Sequence, residues 1–341
     1  MNEKYNNLIY FVYIIAVVTI TCLFSLKILE RSESTGFAVL SEESEQPEYT
    51  YQCSETGNSS VFHTKMVPNC ETIFDGLLVK LPITHIKINS YGFRDYEYSI
   101  EKPAGTFRII ALGDSITWAH GVEIDDSYPK VLERILNNNT KSDLKYEVLN
   151  LGASGYNTLQ EVEFFKEIGI QFNPDLILIQ YTSDDVYDRM KIQEIYGSLL
   201  ENYLKDKNMT NGSGLPHSVN GQLYIEATGI YKKELSAIET KNFDEVWKIV
   251  KSPLSELNNI SNRLGADVVI IIVQPVEEKY LSELEKIADE YGWGMVRADR
   301  LFDKYGWLNL TLHPKDNHPN AFAHRLIAEE VYKGLIADDL I

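Results

Sequence analysis

With 44% hydrophobic and 24% charged residues among 341, the chain has the make-up of an ordinary globular protein rather than a disordered one. It is long enough for one large domain with extras, or for two smaller ones. Its 50 acidic and 32 basic side chains leave a formal net charge of −18, which argues against nucleic acid or an anionic surface as electrostatic partner.

Residues 8–26, LIYFVYIIAVVTITCLFSL, carry no charge over nineteen positions. As a helix at ~1.5 Å per residue they span roughly 28 Å, close to the hydrocarbon thickness of a bilayer. A cleaved signal peptide would have a shorter apolar region and a small-residue cleavage site, and none stands out before Lys27. The segment is therefore expected to be a single transmembrane anchor behind a short tail, 1–7. Lys4 precedes it, while Lys27 and Arg31 follow, so the positive-inside rule leaves its orientation open. Cys22 lies within the span, which leaves Cys53 and Cys70 as a candidate disulfide. Sequons at Asn58, Asn138, Asn208, Asn211, Asn259 and Asn309 add to the expectation of a glycoprotein whose body is extracytoplasmic.

Residues 27–50 are polar and acidic (SEESEQPE) and read as a flexible stalk. Residues 51–103 form a loop-rich lead-in. From 104 to 341, strand and helix signals alternate. The run RIIALGDS, apolar over 109–112 and closed by Gly113, predicts a buried strand entering a tight turn. Ser115 then falls at the expected start of a helix. Further strands are predicted over 145–151, 175–181, 267–273 and 294–298, and helices over 158–170, 277–291 and 320–335. Strands that are nearly continuous apolar runs, separated by helices, indicate a parallel sheet covered on both faces. The predicted fold is α/β: a three-layer sandwich with a flavodoxin-like five-stranded parallel sheet, preceded by the transmembrane helix. The stretch 185–264 is too long for one crossover and reads as an insertion or cap that either shapes substrate access or is a surface excursion.

Polar residues cluster at the carboxyl ends of the predicted strands. Ser115 follows the first, Asn150-Leu151-Gly152-Ala153-Ser154-Gly155 the second, and Thr182-Ser183-Asp184-Asp185 the third. Asp316-Asn317-His318 stands just before the last helix. In a parallel sheet these ends share one edge. A hydroxyl, an imidazole and a carboxylate meeting there are the parts of an activated nucleophile. Ser115 is a weak nucleophile until a base takes its proton, and a histidine such as His318 is the residue type suited to that near neutral pH. Asp316 would fix the imidazole tautomer, and the N–H groups of Ser115 and Gly155 would meet the oxyanion.

These blocks resemble the SGNH/GDSL hydrolase superfamily, over about residue 89 to the C-terminus, most of the insertion excluded. GDSIT implies Ser115 as nucleophile. NLGASGYNT implies Gly155 as oxyanion donor, and DNHPNAFAHRLIAEE implies His318 as base with Asp316 as its partner. The lead-in NSYGFR…KPAGTFRI is similar to members described as esterase or lysophospholipase-like. Two departures stand out. The third block normally supplies an asparagine to the oxyanion hole, and here Asp184 holds that place. An ionised carboxylate cannot donate, and losing one such donor costs about 2.7–4 kcal/mol. Three outcomes stay open: Asp184 is protonated by burial, Thr182 or Ser183 replaces it, or activity is weak or absent. The second departure is spacing, Asp316-x-His318 where Asp-x-x-His is usual; Lys315, three residues before His318, cannot fill the carboxylate role.

Other candidates read more simply. His120 is expected on a loop or helix surface, His324 as a packed helix residue, and Asp299 as a strand-end or cap residue. His313 competes with His318 as base. Trp118 and Tyr156 could line a substrate groove, with core packing as the plainer alternative. No metal-ligand spacing is present, so neither metal nor other cofactor is expected. The functional expectation is a membrane-anchored, single-pass, extracytoplasmic serine esterase acting on a small-molecule or glycan ester, O-acetyl groups included. Two alternatives are an acyltransferase on surface glycans and a catalytically silent glycan-binding domain. Its partners would be that ester and the lipid bilayer, not nucleic acid.

Overall fold

The apolar runs of the sequence become a five-stranded parallel sheet in a computed structural model that describes residues 53–56, 61–62, 64–76, 79–139, 143–207, 209 and 217–341. The expected tail 1–7, anchor 8–26 and stalk 27–50 lie outside the described residues, as do Cys22, Asn58, Asn208 and Asn211. Among the described residues no helix is long and apolar enough to cross a membrane.

The lead-in forms two antiparallel ribbons. Strand β1 (Ser54–Thr56) pairs with β2 (Thr64–Met66), and β3 (Glu71–Phe74) with β4 (Thr84–Lys87). Cys53 and Cys70 are joined in a disulfide closing a loop of 17 residues, a constraint worth about 3 kcal/mol in chain entropy. The core follows with β5 (Thr106–Gly113), α1 (Tyr128–Asn139), β6 (Lys145–Gly152), α2 (Thr158–Glu167) and β7 (Leu176–Tyr181). Then come α3 (Arg189–Asp206), α4 (His217–Glu239), α5 (Phe243–Leu264), β8 (Asp267–Ile272), α6 (Glu278–Tyr291) and β9 (Gly294–Arg297). The chain ends in α7 (Arg300–Tyr305), α8 (Trp307–Leu310), the hairpin β10 (Thr311–His313) and β11 (Asp316–Pro319), and α9 (Ala321–Ala337).

The sheet order is β6-β5-β7-β8-β9, all parallel, the doubly wound order expected from the sequence. Alternate strand residues face opposite layers. Ile110, Leu112, Ile177, Ile179, Ile270 and Ile272 join a core with α2, α5 and α6, while Ile109, Ala111, Leu176, Leu178, Val269 and Ile271 join one with α1 and α9. Register β5–β6 runs from Thr106↔Lys145 to Gly113↔Gly152, so both strands end level and their following loops emerge at one edge.

The stretch 185–264 divides. Helix α5 lays Val246, Trp247, Val250, Leu254, Leu257 and Ile260 on the sheet core, each worth about 1.5–3 kcal/mol against exposure. Asn242 caps its start and left-handed Gly265 its end; it is the crossover helix into β8. The excursion proper is the pair α3 and α4, which pack against each other through Tyr196 and Tyr224, ring centroids 6.2 Å apart.

The helix expected at Ser115 does not form. Residues 114–121 are a succession of turns, and the next α-helix begins at Tyr128, after a single 3-10 turn at Ile124–Asp126. Ala119 (φ 66°) and Gly121 (φ 68°) are left-handed, which breaks helical continuation. Arg94, buried at 1% exposure, holds this turn. It donates to the carbonyls of Trp118 (2.9 Å), Ala119 (2.6 Å), Val122 (2.8 Å) and His85 (3.0 Å). Its neighbour Asp95 accepts from Asn150 N at 2.7 Å and pairs with Lys130 at 3.1 Å. Packing helps too: a Cβ at Gly152 would lie 2.2 Å from Trp118 N, so the turn rests on the end of β6 only because that position is glycine.

Arg94→Met leaves four carbonyls without their donor and should lower stability by about 2 kcal/mol or more, measured by chemical denaturation; an unchanged midpoint would show that the clamp is dispensable. His324 is fully buried and its Nδ1 accepts from Tyr128 N at 3.2 Å. Burial lowers its pKa from 6.5 to about 3. The unfolded chain therefore binds a proton that the folded one refuses, and stability falls as pH drops from 6.5 toward 3. His324→Asn should flatten this slope in melting temperature against pH; a slope equal to wild type would refute it.

Candidate active site

Ser115 lies two residues past β5, half-buried in the clamped turn. Asp114 fixes the turn from within: Oδ1 accepts from Ile116 N (2.8 Å) and Gln180 Nε2 (2.9 Å). His318 sits on β11, where the hairpin β10–β11 pairs Thr311 with Pro319 and His313 with Asp316. Gln274 Nε2, beyond β8, donates to Asn317 O at 2.7 Å. Asn320 caps α9 by accepting from Ala323 N and ties back to the carbonyls of Asn309 and Thr311. The imidazole is thus mounted on a braced hairpin rather than a loop.

The two mounts bring the predicted trio together. His318 Nε2 is 2.8 Å from Ser115 Oγ, and His318 Nδ1 is 2.6 Å from Asp316 Oδ1, which also accepts from His318 N at 3.1 Å. The short Asp316-x-His318 spacing suffices because the backbone N–H and the ring nitrogen of His318 converge on one carboxylate oxygen. Burial would raise the Asp316 carboxyl, but the hydrogen bond and charge of His318 outweigh it and hold it down at about 2. The carboxylate is therefore ionised wherever His318 needs a partner. His318 keeps 29% of its side chain exposed, so the site is open to water. Neither the N–H of Ser115 nor that of Gly155 donates to an acceptor among the described residues. Gly155 has φ 78°, a left-handed conformation that favours glycine.

The third block behaves differently from the sequence expectation. Asp184 is not enclosed as that expectation needs: its side chain is 49% exposed and lies 3.9 Å from Lys232 Nζ of α4. The Thr182 hydroxyl lies between Asp114 Oδ2 (3.2 Å) and Asp185 Oδ2 (3.3 Å), which uses its single proton. Ser183 is half-buried, with no hydroxyl partner among the described residues. Asp185 is fully enclosed and accepts from Thr182 N (2.7 Å) and Thr158 Oγ1 (2.8 Å). Burial, then the charge of Asp114, pushes Asp185 up to about 7.

Of the two readings of Trp118 and Tyr156, the structure fits core packing. Trp118 is buried, packed with Cys53, Phe74, Leu81, Ile86 and Ile88, and stacked under Arg94 at 4.9 Å. Tyr156 is buried against Phe62 and Phe164 and donates its hydroxyl to Thr64 O at 2.8 Å. Trp118 belongs to the small core under the turn and Tyr156 to the core on one face of the sheet. His313 does not approach Ser115 as His318 does; its Nδ1 accepts from Lys315 N at 3.1 Å. Lys315 is exposed. Asp299 opens α7 and holds Arg297 in a two-bonded ion pair at 2.8 and 2.7 Å.

His120 is the residue that pattern reading missed. It is buried at 4% exposure, not on a loop surface, and its ring stacks on that of His318. Its N–H donates back to Ser115 O at 2.9 Å, a closure that the left-handed Ala119 permits. Such non-glycine backbone costs of order 1 kcal/mol and gathers at functional sites. No spacing rule flags a histidine five residues past a nucleophile. Among the described residues, His120, Asp316 and His318 form the one group close enough to consider for a metal. The two imidazoles are stacked, ring centroids 3.9 Å apart and planes 19° from parallel, an arrangement in which rings face each other rather than a common ion.

Comparison with known proteins places this geometry. In the solved structures, the chain is similar to TesA (14% identity, 68% of this chain and 99% of that one, TM-score 0.43). It is similar to LAE5, an alpha/beta hydrolase enzyme from the metagenome of Lake Arreo (16%, 71% and 98%, 0.42), and to an acetyl xylan esterase, AlAXEase (15%, 67% and 98%, 0.41). No curated protein matches it. The family model of the GDSL-like lipase/acylhydrolases matches residues 111–326, more than half of the chain and a span that contains Ser115, Gly155, Asp184 and His318 in order. A match of that extent, around a serine and a histidine in hydrogen-bond contact, means that the chain belongs to the GDSL-like lipase/acylhydrolase family.

Proposed function

We propose that the protein is a serine esterase that cleaves carboxylic esters through an acyl-Ser115 intermediate. The observation that carries this reading is the continuous relay Ser115 Oγ–His318 Nε2 (2.8 Å) and His318 Nδ1–Asp316 Oδ1 (2.6 Å). As Ser115 Oγ bonds to the acyl carbon, its proton passes to His318 Nε2, and Asp316 accepts from Nδ1–H of the imidazolium. The N–H groups of Ser115 and Gly155 receive the oxyanion. Collapse returns the proton from Nε2 to the leaving alcohol. Water, deprotonated in turn by His318, then releases the acid and restores the serine.

Hydrolysis is favoured over transfer because the 29% exposed imidazole meets solvent, and an acyltransferase must keep water out. The silent-domain reading fits poorly with a relay in which both bonds are at good length. Asp184 stands where the family has an amide donor and contributes none; Ser183 supplies the remaining hydroxyl of that block, and Lys232 offsets the carboxylate charge. On this reading the substrate is a small acyl ester. O-acetyl groups on glycans are the class that an enzyme held at the outer face by 8–26 would meet.

Ser115→Ala should abolish both p-nitrophenyl acetate turnover and labelling by a fluorophosphonate while leaving the melting temperature close to wild type; persistent labelling would place the nucleophile elsewhere. Asp184→Asn restores the missing donor and should raise turnover about tenfold or more. A flat or reduced rate would show instead that the carboxylate is needed where it stands.

A further inference from the structure

His120 is a buried imidazole that the hydrolytic scheme leaves unused, and it is not placed like core filling. Its ring lies over that of His318, centroids 3.9 Å apart and planes 19° from parallel. Phe74 of β3 meets it edge-on at 4.5 Å and 70°. Its Nε2 is 3.8 Å from Asp316 Oδ2, while Oδ1 of the same carboxylate holds His318 Nδ1. One carboxylate therefore faces two imidazoles, one at each oxygen, and the second contact is too long for a hydrogen bond.

We propose that His120 is a positioning residue for the base: its ring is a plate that sets the plane of the His318 imidazole, and its uncharged π face steadies the imidazolium formed when Ser115 gives up its proton. This rests on the reading of His318 as general base. Two hydrogen bonds, at Nδ1 and Nε2, hold His318 at two points of its rim. Rotation about the line joining those points changes neither length much, and a side chain open to solvent on one side has little else to resist it. A stacked ring resists that rotation directly, because any tilt opens the contact between the faces.

The plate works only while it is neutral, since two imidazoliums at this distance would repel. Burial, then the charge of His318, lowers His120 from 6.5 to about 3. The charged and titratable groups facing the stacked pair are Asp316, which favours a proton on His120, Arg94, which opposes one, and buried His324. His120 is thereby uncharged across the range in which an ordinary histidine titrates. A base backed by an aromatic face gains as it becomes cationic, as other cations do over rings.

The test uses the full chain with His120→Leu, His120→Phe and Ser115→Ala, following p-nitrophenyl acetate hydrolysis from pH 5 to 9 alongside thermal melts. Leucine removes the π face but keeps apolar volume. It should lower kcat about three- to tenfold with little change in KM, and move the acid limb of kcat/KM down by about half a pH unit. Phenylalanine keeps a face and should recover most of kcat and return the limb toward wild type. Wild-type kcat and limb in His120→Leu would overturn the proposal. Equal losses in both variants with an unmoved limb would do so too, marking a purely packing role. Ser115→Ala separates the two readings: residual turnover there would overturn the nucleophile assignment itself, whereas an inactive Ser115→Ala beside an unaffected His120→Leu would remove only the plate.

Discussion

A hydroxyl carried on a turn is useful to a base only if the turn cannot move, and in this protein a single buried guanidinium supplies that immobility. Arg94 donates to three carbonyls of the turn after β5 and to one of the lead-in. Its planar, always charged fork suits several acceptors at once, and a lysine would not replace it. The three carbonyls of the turn are enclosed, and those of Trp118 and Val122 would otherwise lack this donor in the interior. The lead-in is therefore part of the structure that holds Ser115. Its disulfide, its ribbons and Trp118 form the small core on which the turn rests.

Charge is distributed around the site with unequal consequences. Asp316 is ionised because an imidazole bonds it, and its value lies in that permanence. Asp185 and Glu161 are enclosed without a full counter-charge, so burial raises both, Glu161 well above the ordinary carboxylate range. They contribute shape and hydrogen-bond acceptance more than field. Asp184 and Lys232 are each about half exposed; such a pair is screened and is worth little to stability. Its interest is local, since it sets a cation beside the carboxylate of the third block.

The insertion is less separate than its length implies. Helix α5 belongs to the sheet and buries a stripe of six apolar side chains, while α3 and α4 alone extend from it. Lys232 reaches the third block from α4, and the Tyr231 hydroxyl accepts from Asp188 N at 3.1 Å. A cap element thus touches the edge where the strands end, and variation in it can alter access without disturbing the sheet.

Much of this was legible in the residues because two of its signals are local. Apolar runs of strand length mark parallel strands whatever surrounds them, so all five core strands are recoverable within about three residues at each end. Ser115, Gly155, Asp316 and His318 stand out in the sequence because each lies close to the end of a predicted strand or the start of a predicted helix. The turn in place of a helix at Ser115, the Arg94 clamp, the exposure of Asp184 and the stacking of His120 were settled only by tertiary structure. Each depends on which distant atoms fill the space beside a residue: carbonyls gathered around a guanidinium 24 to 28 positions away, or a ring laid on another nearly two hundred positions on. Linear spacing carries no record of such neighbours. The sequence by itself determined the layers and the chemical parts; close packing decided which parts meet, because burial and hydrogen bonding are properties of the assembled interior.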